Sequence, residues 1–457
     1  NKAAYRTGRT YYDFDTGEAL PGKPEGARSV RVNNRVRGVI KAALGSLELR
    51  ARDPAQRLAA AGQVFRRKDL AVLTVLDGLI ESEAVAGVKR ALVEARAALI
   101  LAQSASTKAE KLDAIAVLKA RNKQDAVVAL GPALGDADPD VAAAAAAATQ
   151  SIEAWLAMAA NLQNVWYGLS LGSVLLLAAI GLAITFGVMG VINMAHGEMV
   201  MLGAYTTFVV QEVFRAYWPE GFDLSLVLAV PLAFAVAGLV GVAIERGIIR
   251  FLYGRPLETL LATWGVSHIL QQTVRTIFGP TNREVGAPSY MSGGFEFMGL
   301  AITYNRLWII VFTLVVFAAL LLILRHTTLG LQMRAVTQNR RMAASMGIRT
   351  GYVDAMTFGL GSGVAGIAGV ALSQIDNVSP NLGQNYIIDS FMVVVFGGVG
   401  NLWGTLVSAM ALGVTNKFLE PWAGAVLAKI VILVLLILFI QKRPRGLFAL
   451  KGRAVEA

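Results

Sequence analysis

From Trp166-Tyr167 onward, apolar stretches follow one another to the C-terminus, separated by short polar connections. No other feature limits the fold as strongly. Hydrocarbon offers no partner for an unpaired peptide N–H or C=O, so such stretches must become helices or a closed barrel. Apolar runs of about twenty residues read as helices. They predict spans at about 167–189, 192–214, 224–245, 257–278, 307–324, 353–374, 386–400, 403–420 and 424–441, a count of eight or nine because several are short or interrupted.

Charge content shows where the membrane part begins. Residues 1–164 hold 23 Lys or Arg and 18 Asp or Glu, whereas the other 293 residues hold only 19 and 13. The first density is ordinary for a water-soluble domain and the second is far below it. The expected fold class is therefore all-α: a soluble helical domain over 1–164, then a polytopic membrane helix bundle with broken helices over 165–457. The net charge of +11 divides almost evenly between the two parts, so it is not the footprint of a nucleic-acid partner. With no cysteine, structural disulfides and thiolate metal sites are excluded. The chain begins at Asn1 without an early signal-like apolar run, which implies a targeting segment since removed or a late start.

Residues 1–35 are rich in turn formers, and from about Val36 to Leu156 apolar residues recur at helical spacing. Asp53–Leu79 resembles Thr107–Leu134 at an offset of about 54 residues, which suggests helix pairs stacked as a HEAT-like solenoid. Such a domain would be a docking platform or a rigid spacer. Asp136, Asp138 and Asp140 are spaced like the start of a calcium loop, but the later Gly and Glu of such a loop are missing, and no metal site is expected.

Basic residues orient the bundle. Arg246, Arg250 and Arg255 fall in one connection, Arg325, Arg334, Arg340, Arg341 and Arg349 in another, and Lys442, Arg443, Arg445, Lys451 and Arg453 in the tail. Only Arg215, Arg283, Arg306 and Lys417 fall on the other side. The positive-inside rule places the first group in the cytoplasm, which leaves the C-terminus inside and residues 1–164 outside.

Ionisable groups inside a span cost about 2.5–3.5 kcal/mol or more, so each needs a reason. Asn193, His196 and Glu198 follow the interruption Gly187-Val-Met-Gly190. They either cap a broken helix or line a solute pathway. His268, Gln271, Gln272 and Arg275 fall on one helical face, which must meet a pathway or a partner. Asp376, Asn377 and Asp389 flank Pro380 and read as a solvated loop. Gly361-x-Gly363-x-x-Gly366 matches a dinucleotide fingerprint, but it lies inside a span with no strand before it, so close helix packing is the better reading. There is no His-Glu-x-x-His zinc motif or Gly-x-x-x-x-Gly-Lys phosphate loop, and Asn401 stands where an intramembrane aspartyl protease needs Asp. The chain is not expected to be an enzyme or to carry a cofactor. The connection Thr327–Gly347 is helical by pattern and basic, suited to lie on the membrane surface or project into a groove on a soluble partner.

The segment Gly190-Val-Ile-Asn-Met-Ala-His-Gly-Glu-Met-Val-Met-Leu-Gly-Ala-Tyr205 closely resembles the signature of high-affinity branched-chain amino acid ABC permeases. The likeness continues through Gly265–Gln272, Ile277–Pro280, the Gly330–Asn339 region, Phe396–Gly404 and Arg443–Phe448, covering nearly all of 165–450. Within that family, a long helical domain ahead of the permease looks like the urea ABC permeases. The resemblance implies an alternating-access importer subunit in a bacterial inner membrane, with its first domain periplasmic. Its partners would be a homologous second permease, two cytoplasmic ATPases that carry ATP and Mg, and a periplasmic urea-binding protein. Thr328, Gly330, Arg334, Asn339, Arg340, Arg341 and Gly347 would form the loop that couples to an ATPase. Asn193, His196, Glu198, His268, Gln271 and Gln272 offer the mostly neutral hydrogen-bonding groups a urea pathway needs. The alternatives are an importer of branched-chain amino acids or short amides, a passive polar-solute channel, and a membrane scaffold.

Overall fold

The computed structural model describes residues 4–7, 10–13, 19–20, 48–103, 105–297 and 299–448. It divides into two compact units, Asn1–Ala157 and Met158–Ala457.

In the first unit, strands β1 (Ala4–Thr7), β2 (Thr10–Asp13) and β3 (Ala19–Leu20) form an antiparallel sheet, with Tyr5 opposite Tyr12 and Tyr11 opposite Leu20. The chain is therefore mostly helical and not all-α. Tyr and Thr in this segment favour extended backbone, which counting turn formers overlooks. The rest of the turn-rich start and the residues up to 47 lie outside the described residues.

Helices α1 (Pro54–Arg67), α2 (Leu73–Ser82), α3 (Ala86–Ala102), α4 (Lys108–Arg121) and α5 (Gln124–Leu134) follow, then α6 (Pro139–Met189), whose Ala-rich start favours helix. The two similar segments each open a helix. Asp53 accepts a hydrogen bond from Ala55 N at 2.9 Å, and Thr107 forms a reciprocal capping box with Glu110. Helix α3 is in contact with α1, α2, α4 and α5 and is buried at Leu92, Ala95 and Ala97–Leu101. The three aspartates are taken by lysines: Asp136 by Lys111 at 2.6 Å, Asp138 by Lys108 at 3.0 Å and Asp140 also by Lys108.

The second unit continues with α7 (His196–Tyr217), α8 (Ser225–Gly247), α9 (Pro256–Phe278), a hairpin of β4 (Gly294–Phe297) and β5 (Leu300–Thr303), and α10 (Tyr304–His326). Two short helices, α11 (Thr328–Gln338) and α12 (Arg340–Ser345), lead to α13 (Thr350–Ser373), α14 (Leu382–Gly397) and α15 (Leu402–Lys442). Among the described residues, five stretches are long and apolar enough to cross a membrane: Pro139–Met189, Pro219–Phe251, Tyr304–His326, Thr350–Ser373 and Leu402–Lys442. That corrects the eight or nine spans expected. Helices α7 and α9 have the length but carry Glu198, Glu212 and Arg215, or Glu258, Gln271, Gln272 and Arg275, which dilute their apolar character. Helix α14 has only 16 residues, and the last two expected spans join into one run broken at Gly424 (φ 75°).

Helix α13 is the centre of this unit and packs most extensively on α8 and α7. Its glycines explain the false nucleotide fingerprint. Gly361 lies against Gly181 of α6, and Gly366 lies between Ala233 of α8 and Gly203 of α7. A Cβ on Gly203 would sit 1.9 Å from the Gly366 carbonyl oxygen, and one on Gly369 would sit 2.0 Å from that of Val200. Backbones this close exclude any side chain, and they attract each other by dispersion along the whole crossing.

We expect Gly203→Ala or Gly369→Ala to destabilise the detergent-solubilised protein by at least the ~1–3 kcal/mol typical of overpacking. Gly265→Ala in α9, where an added Cβ meets nothing within 4 Å, should leave it unchanged. Thermal unfolding of the three variants is the measurement.

Candidate functional site

The chain stops being helical after Met189 and resumes at His196, with Gly190 at φ 68° turning it. Asn193 Oδ1 accepts from Ala195 N at 3.0 Å, and Met194 N donates to Thr263 Oγ1 at 3.1 Å. His196 Nε2 donates to the Ala178 carbonyl at 2.8 Å, which fixes its tautomer, since that oxygen only accepts. Side chains thus satisfy a break that hydrocarbon could not tolerate. Asn193 and His196 are fully buried; Asn193 satisfies a backbone N–H of the break, and His196 ties the start of α7 to the middle of α6.

One turn further, Glu198 ties three helices together. Its Oε1 accepts from Ser267 Oγ at 2.8 Å and from Gln271 Nε2 at 2.7 Å, both on α9. Gln271 Oε1 in turn accepts from Gln384 Nε2 of α14 at 3.3 Å. Glu198 is 1% exposed and Gln271 6%. Helix α9 presents only a thin stripe inward, Thr259, Thr263, Ser267, Gln271 and Val274. The seam between α7 and α9 is polar around Glu198 and apolar further along, where Met201 and Tyr205 meet Val274 and Phe278. Asn193 Nδ2, His196 Nδ1 and Glu198 Oε2 have no hydrogen-bond partner among the described residues, so the cluster retains one donor and two acceptor positions.

The expected polar face of α9 is buried at one edge and open at the other. Gln271 turns inward, Arg275 Nη2 donates to Asn381 Oδ1 at 3.0 Å, and His268 and Gln272 are exposed on the outer side, His268 edge-on to Trp264. Spacings of three, four and seven span a wide arc of a helix, and the buried seam occupies only part of it. Ser267 and Gln384 escape a reading of the sequence because a lone Ser or Gln carries little signal. Asp389 is not in a solvated loop. It is buried inside α14 and pairs with Lys429 of α15 at 2.8 Å.

The basic connection forms two helices instead of one. Thr327 caps the first, which begins at Thr328, by accepting from Gly330 N at 3.3 Å, and Asn339 caps the second by accepting from Met342 N at 3.0 Å. Gly330 lies against the Leu324 backbone, Arg334 donates to the Leu324 carbonyl, and Gly347 turns the chain at φ 86°. Arg340 points back into the bundle. It forms a two-pronged ion pair with the fully buried Asp354 of α13 and lies 4.6 Å over the Tyr253 ring. The Tyr253 hydroxyl donates to the buried Glu245 of α8 at 3.0 Å. Burial, reinforced by Asp354 and Glu245, pushes the Tyr253 hydroxyl pKa well up. Burial alone would lower Arg340, but the Asp354 carboxylate outweighs it and raises the guanidinium. Arg341, Met342, Ser345 and Met346 are left exposed on α12 and at its end. The two methionines add an apolar pair to the charged residues expected there. No group of three or more His, Asp or Glu among the described residues is arranged to hold a metal ion.

The family described as branched-chain amino acid transport system / permease component matches residues 164–440. The chain belongs to this family. Over 293 residues the permease is 31% identical to the high-affinity branched-chain amino acid transport system permease protein BraD of Pseudomonas aeruginosa, covering 63% of this chain and 95% of the relative. It is 31% identical over 296 residues to the corresponding LivH of Escherichia coli, 63% of this chain and 94% of the relative. A ribose import permease protein, RbsC of Escherichia coli, is 24% identical over 272 residues, 57% of this chain and 78% of that one. No solved structure gives a significant match. The break, the Glu198 seam and the Arg340 joint all lie inside the matched region, whereas residues 1–163 lie outside it.

We expect Arg340→Ala to strand the Asp354 carboxylate. Breaking a fully buried pair costs about 3–5 kcal/mol, and the lower end applies here because Arg340 is 41% exposed. The neutral double variant Arg340→Gln, Asp354→Asn should recover most of the loss when thermal unfolding of the purified permease is measured.

Proposed function

We propose that the chain is the membrane permease subunit of an ABC importer for branched-chain amino acids, in a bacterial inner membrane. The observation that carries this reading is the match of 164–440 to the permease family, with relatives named for that solute aligned over nearly their full length. Its partners are a homologous second permease, two cytoplasmic ATPases that bind ATP and Mg, and a periplasmic binding protein. Helix α12 seats on an ATPase through Arg341, Met342 and Met346. Arg340 does not reach outward but carries motion of the loop to α8 and α13. Closure of the ATPases then rocks the bundle between outward and inward access. The urea reading of the sequence rested on the helical unit ahead of the permease, and that unit lies outside the family match. Asn193, His196, Glu198 and Gln271 stand as pathway candidates at the break, whereas His268 and Gln272 face away from it.

In vesicles holding the full set of partners, we expect radiolabelled leucine to accumulate only with hydrolysable ATP and urea to compete poorly. Efficient displacement by urea reverses the solute assignment, and downhill flux through this chain alone makes it a channel. Replacing the exposed Arg341, Met342 and Met346 together by Ala should abolish ATP-dependent uptake while the protein still elutes as a single species.

The orientation is read from the basic residues, which favour the cytoplasmic side. Because the chain lacks cysteine, single substitutions report their own accessibility. Met346→Cys should react with an impermeant thiol reagent only from the cytoplasmic face, and Gly87→Cys only from the periplasmic face.

A further inference from the structure

Helix α14 is buried on one side and open on the other. Its open side presents Gln384, Asn385, Ile388 and Phe391. It is bordered by α9, through the Gln384–Gln271 hydrogen bond, and by the second half of α15, through the ion pair of Asp389 with Lys429. Asp389 is 9% exposed but Lys429 is 45% exposed, so one charge of the pair remains reachable from the open side.

Holding the helices together does not require this pair. The same two segments are already joined by Met392, Ile432 and Leu436, and by Phe396 packed edge-to-face on Phe439 at 4.9 Å. A hydrophobic pair of similar size would hold a membrane crossing as well and avoid the desolvation of two ions. Lys429 also stands five residues beyond the break at Gly424, on the second segment of α15. Two opposite charges on separate segments, next to polar amides and the apolar Ile388 and Phe391, complement a small solute that carries both charges and an apolar side chain.

We propose that the open face of α14 is this chain's share of the translocation pathway and that Lys429 and Asp389 there read the two charged ends of a zwitterionic amino acid. The proposal rests on the importer reading above and names the residues that would discriminate its solute. The solute carboxylate takes Lys429 and its ammonium takes Asp389, so one ion pair becomes two and no charge is left alone in the bilayer. The solute side chain lies along Ile388 and Phe391. A neutral amide such as urea would open the pair without supplying either replacement charge, and it is rejected for that reason.

The test uses the complete importer in vesicles, with leucine uptake, ATP hydrolysis and thermal stability of each variant as readouts. Lys429→Met and Asp389→Asn should each raise the KM for leucine about tenfold or more, the loss of one charge-assisted hydrogen bond. The apolar double variant Asp389→Leu, Lys429→Met leaves no lone charge, and it should remain folded and hydrolyse ATP while losing leucine uptake. The exchange Asp389→Lys, Lys429→Asp should keep the stability of the parent without its uptake, because the solute's ends then meet like charge. Restored uptake in either double variant, or failure of both to fold, makes the pair a structural tie and overturns the proposal. If the parent importer carries urea and not leucine, the solute assignment falls and this proposal falls with it. If leucine is carried and the variants are indifferent, only this proposal falls.

Discussion

The permease unit depends on backbones touching backbones. Helix α13 can sit between α6, α7 and α8 only because glycines stand at the crossings, Gly361 on Gly181, Gly366 on Gly203 and Gly369 on Val200. In lipid there is no hydrophobic gain from bringing apolar helices together, so close contact and the hydrogen bonds it permits must supply the association. Everything polar in the unit is arranged around that packing. The close approach of Gly197 and Gly383 brings α7 beside α14, and Glu198 one residue on joins the Gln271–Gln384 chain.

Three carboxylates inside the bundle illustrate three ways of meeting the cost of burial. Glu198 is held by neutral donors on α9, Asp354 by the two-pronged guanidinium of Arg340, and Asp389 by a lysine that remains reachable. The first arrangement holds the break in register. The second ties the α11–α12 connection to the ends of α8 and α13. The third ties α14 to a half-helix and keeps a charge at an open face. Buried polar groups are costly unless satisfied, so their partners show which helices are held in register and which connections can transmit motion.

Much of the site is legible in the chain itself. A Gly-flanked interruption with Asn193, His196 and Glu198 behind it signals a broken helix, and the backbone does break there. The basic connection declares itself by charge, and the Gly-rich run at 358–369 by its small residues. The direction of side chains is less legible. Arg340 reads as one more surface cation, yet it turns inward to a carboxylate fourteen positions later. His268 and Gln272 share a helix with Gln271 but not its neighbours. Asp389 sits beside a proline-containing turn in the chain and beside a lysine forty positions away in space.

The sequence by itself determined the solvent of each part, because charge density and apolar run length decide whether a segment can remain in water or in hydrocarbon. It also determined where helices must break, since Gly and polar residues change backbone freedom locally. Only the tertiary structure decided which polar groups meet, which helices cross at glycines, and which helices the N-terminal α3 packs against. Those outcomes depend on crossings between segments far apart in the chain, where a side chain's environment is set by what packs against it and not by its neighbours in the sequence.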